Sequence, residues 1–249
     1  MTFFLRLAPL LLPVLLALPA GAETLRQGMS ATDQNRWLAV GRLNIAGQGF
    51  CTATLVAPDL VLTAAHCLVD KRTQKRVAPE RVNFLAGYRS GQFAAHGKGA
   101  QVTLVEGFSR VSQTVSRDLG LVRLSRPMPP RIRPLPVVFN LHPGDRLEVM
   151  SYAIDRSQLP SWQEACEVLQ RNGSLVFTSC EGVPGVSGAP LIRETVAGPR
   201  LAGVASSIAS RSTKRPAKGN IVAIALDPGL TDPMLHRLGR SRKEIIAMR

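Results

Sequence analysis

Aromatic residues, acids and cysteines are all scarce in this sequence, and each scarcity excludes something. Aromatics are 5% of the 249 residues, so no run of rings interleaves the basic positions to stack nucleic-acid bases, and no specific nucleic-acid partner is expected. Seventeen Asp and Glu stand against 31 Lys and Arg, a formal net charge of +14. That excludes an acidic solvating chain and favours loose association with anionic surfaces, phosphates or acidic polymers. The basic residues are scattered, from Arg36 and Arg42 through Lys71, Arg72, Lys75 and Arg76 to Lys214, Arg215, Lys218, Arg240, Arg242 and Lys243. They read as an arginine-rich solvated surface. No C-x-x-C occurs, which leaves zinc and thioredoxin-like chemistry without support. No H-E-x-x-H occurs either, and His96, His142 and His236 are isolated. Neither a metal nor a cofactor is expected.

Long apolar runs are equally rare. There is one, Phe3 to Ala20, with a single charge at Arg6 and Ala20-Gly21-Ala22 behind it. A charged start, a short apolar stretch and an A-x-A site describe a secretory signal peptide over residues 1–22, cut after Ala22. Pro9, Pro13 and Pro19 interrupt the run, which is short for a membrane span. The mature chain is then expected to be soluble, and secreted or periplasmic. Export permits oxidation of the four cysteines, Cys51, Cys67, Cys166 and Cys180. Three pairings are possible. The local one, Cys51–Cys67 with Cys166–Cys180, closes two loops of about fifteen residues, each contributing roughly 3 kcal/mol in the chain-entropy view.

Eighteen prolines and 21 glycines, about one residue in six, leave little room for long helices. Short strand-like stretches bounded by turn residues occur at 37–44, 50–56, 60–63, 82–87, 101–106 and 119–124. A second set follows at 146–153, 166–171, 175–179, 189–193, 201–208 and 221–226. Between the sets, residues 125–136 hold five prolines and read as a linker, since proline cannot donate to a sheet ladder. Closing each set removes exposed strand edges. The expected fold is all-β, with two six-stranded antiparallel β-barrels side by side over 37–124 and 137–230. Residues 231–249 supply a short C-terminal helix, with Asp232 as its cap and Pro233 in its first turn. Residues 23–36 form an N-terminal segment or short propeptide, with Arg36 before Trp37 as a cutting point.

Three segments carry chemistry. Thr63-Ala64-Ala65-His66-Cys67 places a histidine at the end of an apolar strand, beside a cysteine. Asp118 opens the apolar strand Leu119–Leu124; once buried, its carboxylate needs donors, and an imidazole N–H is one. Gly182-Val183-Pro184-Gly185-Val186-Ser187-Gly188-Ala189-Pro190 sets a serine among glycines that let backbone N–H groups converge. A serine hydroxyl needs a base, the base needs an orienting carboxylate, and a developing oxyanion needs fixed donors. All these parts are present, spread over both halves.

On these residues the sequence resembles the trypsin-like (chymotrypsin-fold) serine peptidases, particularly bacterial exported ones. Thr63–Cys67 matches T-A-A-H-C, Asp118–Leu124 is similar to D-[IL]-[AG]-L-[LV]-[RK]-L, and Gly185–Pro190 resembles G-D-S-G-G-P. The order His, Asp, Ser is the family's, and Cys51–Cys67 resembles its histidine-loop disulfide. The resemblance covers about residues 37–226. It implies a two-barrel serine endopeptidase acting on polypeptides as a monomer. His66 is implied as base and then acid, Asp118 as its orienter, Ser187 as nucleophile, and the N–H groups of Gly185 and Ser187 as the oxyanion hole. It also implies Glu181, six residues before Ser187, as a pocket acid suggesting cleavage after Arg or Lys, and Ser206 on a pocket-lining strand that pairs with substrate.

The sequence departs from the family at Val186, where activated zymogens carry an aspartate that pairs with a newly cut N-terminal ammonium. No Arg-Ile-Val-Gly-Gly activation site occurs, so the oxyanion loop is expected to be assembled another way. Ala189 replaces a glycine, and Cys180 and Val183 depart from the trypsin disulfide pattern around Glu181. Two rival readings stand beside the peptidase. Gly185–Ala189 narrowly misses the G-x-S-x-G of esterases and lipases, with Asp227 and His236 following in that order. A cationic binding protein on a protease scaffold, weak or inactive in catalysis, is the other.

Overall fold

The computed structural model describes residues 25–112, 114–209 and 219–246. The expected signal peptide at residues 1–22, and Lys214, Arg215 and Lys218, lie outside the described residues. A short strand β1 (Gln27–Gly28) and a one-turn helix α1 (Ala31–Gln34) come first. Strands β2 (Val40–Ile45), β3 (Gly49–Ala57), β4 (Leu60–Thr63), β5 (Val82–Ala86), β6 (Ala95–Leu104) and β7 (Gly120–Leu124) then close an antiparallel barrel in the order β2-β3-β4-β7-β6-β5. Strands β8 (Arg146–Ser151), β9 (Ser161–Asn172), β10 (Leu175–Gly182), β11 (Pro190–Arg193), β12 (Arg200–Ala209) and β13 (Gly219–Ala225) form the second. Its ring runs β8-β9-β10-β13-β12-β11 and is closed by β11 on β8, with β1 added to β9 as an extra strand. Helices α2 (Pro228–Arg237) and α3 (Lys243–Ile246) follow. Among the described residues no helix is long and apolar enough to cross a membrane.

Each barrel fills its own interior with inward-facing aliphatics, Leu43, Leu55, Phe84 and Leu121 in the first and Leu147, Val176, Leu191 and Ile221 in the second. Strand β6 begins earlier than the sequence suggested. Its first half alternates Ala95, Gly97 and Gly99 inward with His96, Lys98 and Ala100 outward. Small residues are needed there, because a Cβ on Gly97 would lie 2.6 Å from Leu124 Cδ1. The C-terminal helix also starts earlier. Asp227 caps it by accepting from Gly229 N at 2.7 Å, Pro228 sits in the first turn, and Pro233 lies inside the helix. Buried Met234, Leu235 and Leu238 pack on the first barrel's core, which holds the helix through Pro233.

The proline-rich stretch 125–136 is a packed strap. Met128 N donates to Pro58 O and Leu135 N to Leu55 O, with Met128, Ile132 and Leu135 buried. The N-terminal segment is likewise built in. Met29 N donates to Pro160 O at 2.9 Å, and buried Gln34 donates through Nε2 to Tyr88 O at 3.0 Å. Two disulfides tie neighbouring elements, Cys51–Cys67 from β3 to the turn after β4, and Cys166–Cys180 from β9 to β10. Replacing both Cys166 and Cys180 with alanine lowers unfolding stability by about 3 kcal/mol, read from urea unfolding of the two proteins.

Candidate active site

His66, Asp118 and Ser187 come from three places in the chain; Asp118 contacts His66, and Ser187 lines a cavity with His66. His66 lies in a 3-10 turn, Ala65–Leu68, where β4 ends. The Cys51–Cys67 bridge pins that turn to β3. Asp118 precedes β7 and is 3% exposed. Because β4 pairs with β7, Thr63 opposite Gly120, the ends of the two strands bring His66 and Asp118 together.

Asp118 holds the histidine with both oxygens. His66 N donates to Asp118 Oδ1 at 2.7 Å, and His66 Nδ1 is 2.6 Å from Asp118 Oδ2. A carboxylate only accepts, so Nδ1 carries a proton, and in the neutral ring Nε2 keeps its lone pair. The Ser206 hydroxyl donates to Asp118 Oδ2 at 2.5 Å. Burial pushes the Asp118 carboxyl upward, but the hydrogen bonds and charge of His66 and the Ser206 hydroxyl outweigh it. The group sits below its ordinary range.

Ser187 stands on the loop between β10 and β11. Both barrels anchor that loop. Thr52 N donates to Ser187 O at 2.9 Å, Thr63 Oγ1 donates to Thr52 O at 2.8 Å, and Tyr152 N donates to Thr52 Oγ1 at 2.9 Å. Gly188, at φ +80°, lets the two barrels touch here: a Cβ would lie 2.0 Å from Thr52 O and 2.2 Å from Thr63 Oγ1. Gly188→Ala is therefore expected to cost about 3 kcal/mol or more and to displace Ser187. A fall in unfolding midpoint together with lost turnover checks it.

His66 and Ser187 line one cavity of about 190 Å³ together with Gly185, Lys71 and Arg110. No hydrogen bond joins the Ser187 hydroxyl to the imidazole, whose Nε2 lies 3.7 Å from Cys67 Sγ. Catalytic contacts are often loose before substrate binds. The amides of Gly185 and Ser187 donate to no described residue, whereas Val186 N, Gly188 N and Ala189 N are all satisfied by backbone carbonyls. A second cavity of about 350 Å³ also touches His66, lined by Phe108, Arg110, Val115, Asp118, Ser206 and Ser207 among others.

Glu181 is placed differently from the pocket acid the resemblance implied. It lines neither cavity, and its Oε1 is 4.0 Å from Nε of buried Arg26. Asp227 and His236 stand away from Ser187 in function. Asp227 caps α2 and His236 lies on its exposed side. Ser187 is followed by strand β11, not the helix of a hydrolase elbow. Sequence reasoning missed the Ser206 hydroxyl as a donor to Asp118, the Thr52–Thr63 scaffold, and Arg110, whose Nη1 donates to His66 O at 2.9 Å. The adjacent pair Ser206 and Ser207 in the otherwise apolar run of β12 was the available signal for Ser206.

The family model described as Trypsin matches residues 26–225. The chain belongs to the trypsin family. It is 43% identical over 82 residues to coagulation factor XII of Rattus norvegicus, covering 31% of this chain and 13% of that protein. It is 33% identical over 97 residues to the modular serine protease of Drosophila melanogaster, 36% of this chain and 15% of the other. Serine protease 23 of Rattus norvegicus is 30% identical over 162 residues, 55% of this chain and 41% of the relative. The chain thus spans less than half the length of these curated relatives. A solved structure of a Glu endopeptidase in complex with MPD superposes with a TM-score of 0.66 at 15% identity, covering 88% of this chain and 96% of the other. That likeness speaks for the trypsin-family fold alone.

Proposed function

We propose that this trypsin-family chain is an exported serine endopeptidase that cleaves peptide bonds through an acyl-enzyme. The observation that carries the reading is the two-point grip of Asp118 on His66, with Ser187 on the wall of the same cavity. Ser187 Oγ attacks the scissile carbonyl while His66 Nε2 takes its proton. The imidazolium then returns the proton to the leaving amine, and water repeats the sequence on the ester. Asp118 fixes the tautomer and stabilises the imidazolium. The free amides of Gly185 and Ser187 receive the carbonyl oxygen as it becomes an oxyanion. The leader-like sequence at residues 1–22 and two disulfides support an oxidising compartment, outside the cell or in a periplasm.

Cleavage after Arg or Lys would need Glu181 as a free anion, and Arg26 already stands against it. The charges at the Ser187 cavity are Lys71, Arg110 and any charge on His66, with no carboxylate. An acidic substrate side chain in that cavity is favoured instead. The effect is modest because Lys71 is exposed: about two- to fivefold in kcat/KM, shrinking with added salt. A peptide library with Glu, Gln and Lys at the positions flanking the cut measures it, and a Lys preference would reverse the assignment.

A fluorophosphonate probe tests the reading as a whole, since it reacts with a serine activated by a base. The expected result is one labelled site, mapped by mass spectrometry to the peptide holding Ser187. A folded protein that refuses the label would point to the cationic binding protein.

A further inference from the structure

Buried arginines are rare and expensive, and one of them lies outside the reacting groups. Arg26 precedes β1, and its side chain is 4% exposed. Its Nη2 donates to Asp155 Oδ2, and its Nε lies 4.0 Å from Glu181 Oε1. Its Nε and Nη1 have no hydrogen-bond partner among the described residues. Its own carbonyl accepts from Arg156 Nη1 at 3.3 Å.

Both acids belong to the frame of the Ser187 loop. Asp155 lies in the 3-10 turn Ile154–Arg156, and Ile154 N donates to Pro184 O at 2.8 Å. Gly185, at φ +99°, rests on the same turn: a Cβ there would lie 2.9 Å from Ile154 N and 3.0 Å from Ala153 Cα. Glu181 stands near the end of β10, where the loop departs. The loop carries no carboxylate of its own, because the residue before Ser187 is buried Val186. One guanidinium therefore stands against the turn beneath Pro184–Gly185 and against the strand end that leads into the loop.

We propose that Arg26 is a positioning residue that sets the oxyanion loop, an internal cation brought in by the docked N-terminal strand. The inference rests on the peptidase reading above. Without the guanidinium, Asp155 and Glu181 become neighbouring like charges at the edge of a buried space, and their repulsion loosens the turn from the loop. The Gly185 amide then loses its aim at the developing oxyanion. An interaction used only in the transition state lowers kcat and spares KM when it is lost.

The test compares wild type with Arg26→Met, Arg26→Lys and Asp155→Asn on one peptide substrate, with thermal unfolding of each. Complete loss of an oxyanion donor costs about 10²–10³ in kcat, and a loosened one should cost about 10- to 100-fold. The expected result is that loss in Arg26→Met with KM within about twofold, substantial recovery in Arg26→Lys, and a loss of the same sign in Asp155→Asn. A folded Arg26→Met with wild-type kcat overturns the proposal. If Arg26→Met does not fold, Asp155→Asn decides: wild-type kcat there overturns it, and a kcat loss at constant KM upholds it. Wild type that neither hydrolyses peptide nor takes the fluorophosphonate sinks the peptidase reading and this inference together. Active wild type beside fully active variants sinks this inference alone.

Discussion

Replacing Ser187 with alanine is expected to lower kcat by about 10⁶ and to leave the fold intact. The asymmetry follows from what each atom of the residue does. Its carbonyl oxygen accepts from Thr52 N and holds the barrels in register, and alanine keeps that bond. Its hydroxyl makes no hydrogen bond to the imidazole in this structure, so stability should change by no more than about 0.5 kcal/mol. On the proposed mechanism the rate changes because the hydroxyl is the nucleophile that attacks a carbonyl held at the Gly185 and Ser187 amides. Those amides survive the substitution, so a residual acceleration of about 10³–10⁴ over water persists. Removing His66 as well should then add almost nothing, since a base without its nucleophile has no proton to take. Turnover of a peptide substrate by Ser187→Ala, His66→Ala and the double variant, alongside thermal unfolding, measures all three statements. A Ser187→Ala protein that keeps more than about 1% of wild-type kcat would place the nucleophile elsewhere.

How much of this was legible in the chain depends on how far apart the partners lie. The strand centres are written locally, as in Leu60-Val61-Leu62-Thr63, where a branched apolar run ends at a turn. So are the surroundings of His66, Asp118 and Ser187, because each sits where a strand begins or ends and its neighbours are constrained by that position. Where a strand is made of small or polar residues the signal fades: the first half of β6 alternates alanine and glycine with His96 and Lys98, and β9 opens with Ser161, Trp162 and Gln163. Nothing near Ser206 announces that its hydroxyl will meet Asp118, 88 residues earlier. Nothing near Arg26 announces Asp155, 129 residues later, nor near Thr52 announces Tyr152, 100 residues later. Barrel closure creates those contacts, and a local pattern cannot encode them. Glu181 illustrates the same limit from the other side. Its spacing from Ser187 suggested a pocket acid, and only the fold reveals the arginine beside it.

Asp118→Asn is expected to lower kcat by about 10⁴ with much smaller effects on KM, although shape and volume hardly change. The wild-type carboxylate can only accept, so His66 must donate from Nδ1 and leave Nε2 free to act as base. An asparagine can turn its NH₂ toward Nδ1, which moves the ring proton to Nε2 and removes the base. It can turn its oxygen there instead, but then the NH₂ faces the His66 backbone N–H, a donor against a donor. The substitution also has a signature in acid. Asp118 ionises below its ordinary range in the folded protein, whereas the unfolded chain has an ordinary carboxyl near 3.9. A depressed folded value means that ionisation favours the folded state. That contribution is complete above the unfolded value and disappears as pH falls through the folded one. The stability gap between wild type and Asp118→Asn should therefore be constant near neutrality and narrow below about pH 4. Urea unfolding of the pair between pH 7 and pH 2 reads the gap directly. A gap that widens in acid would show that the carboxylate is held against its charge by burial, and the two-point grip on His66 could not then be what keeps it ionised.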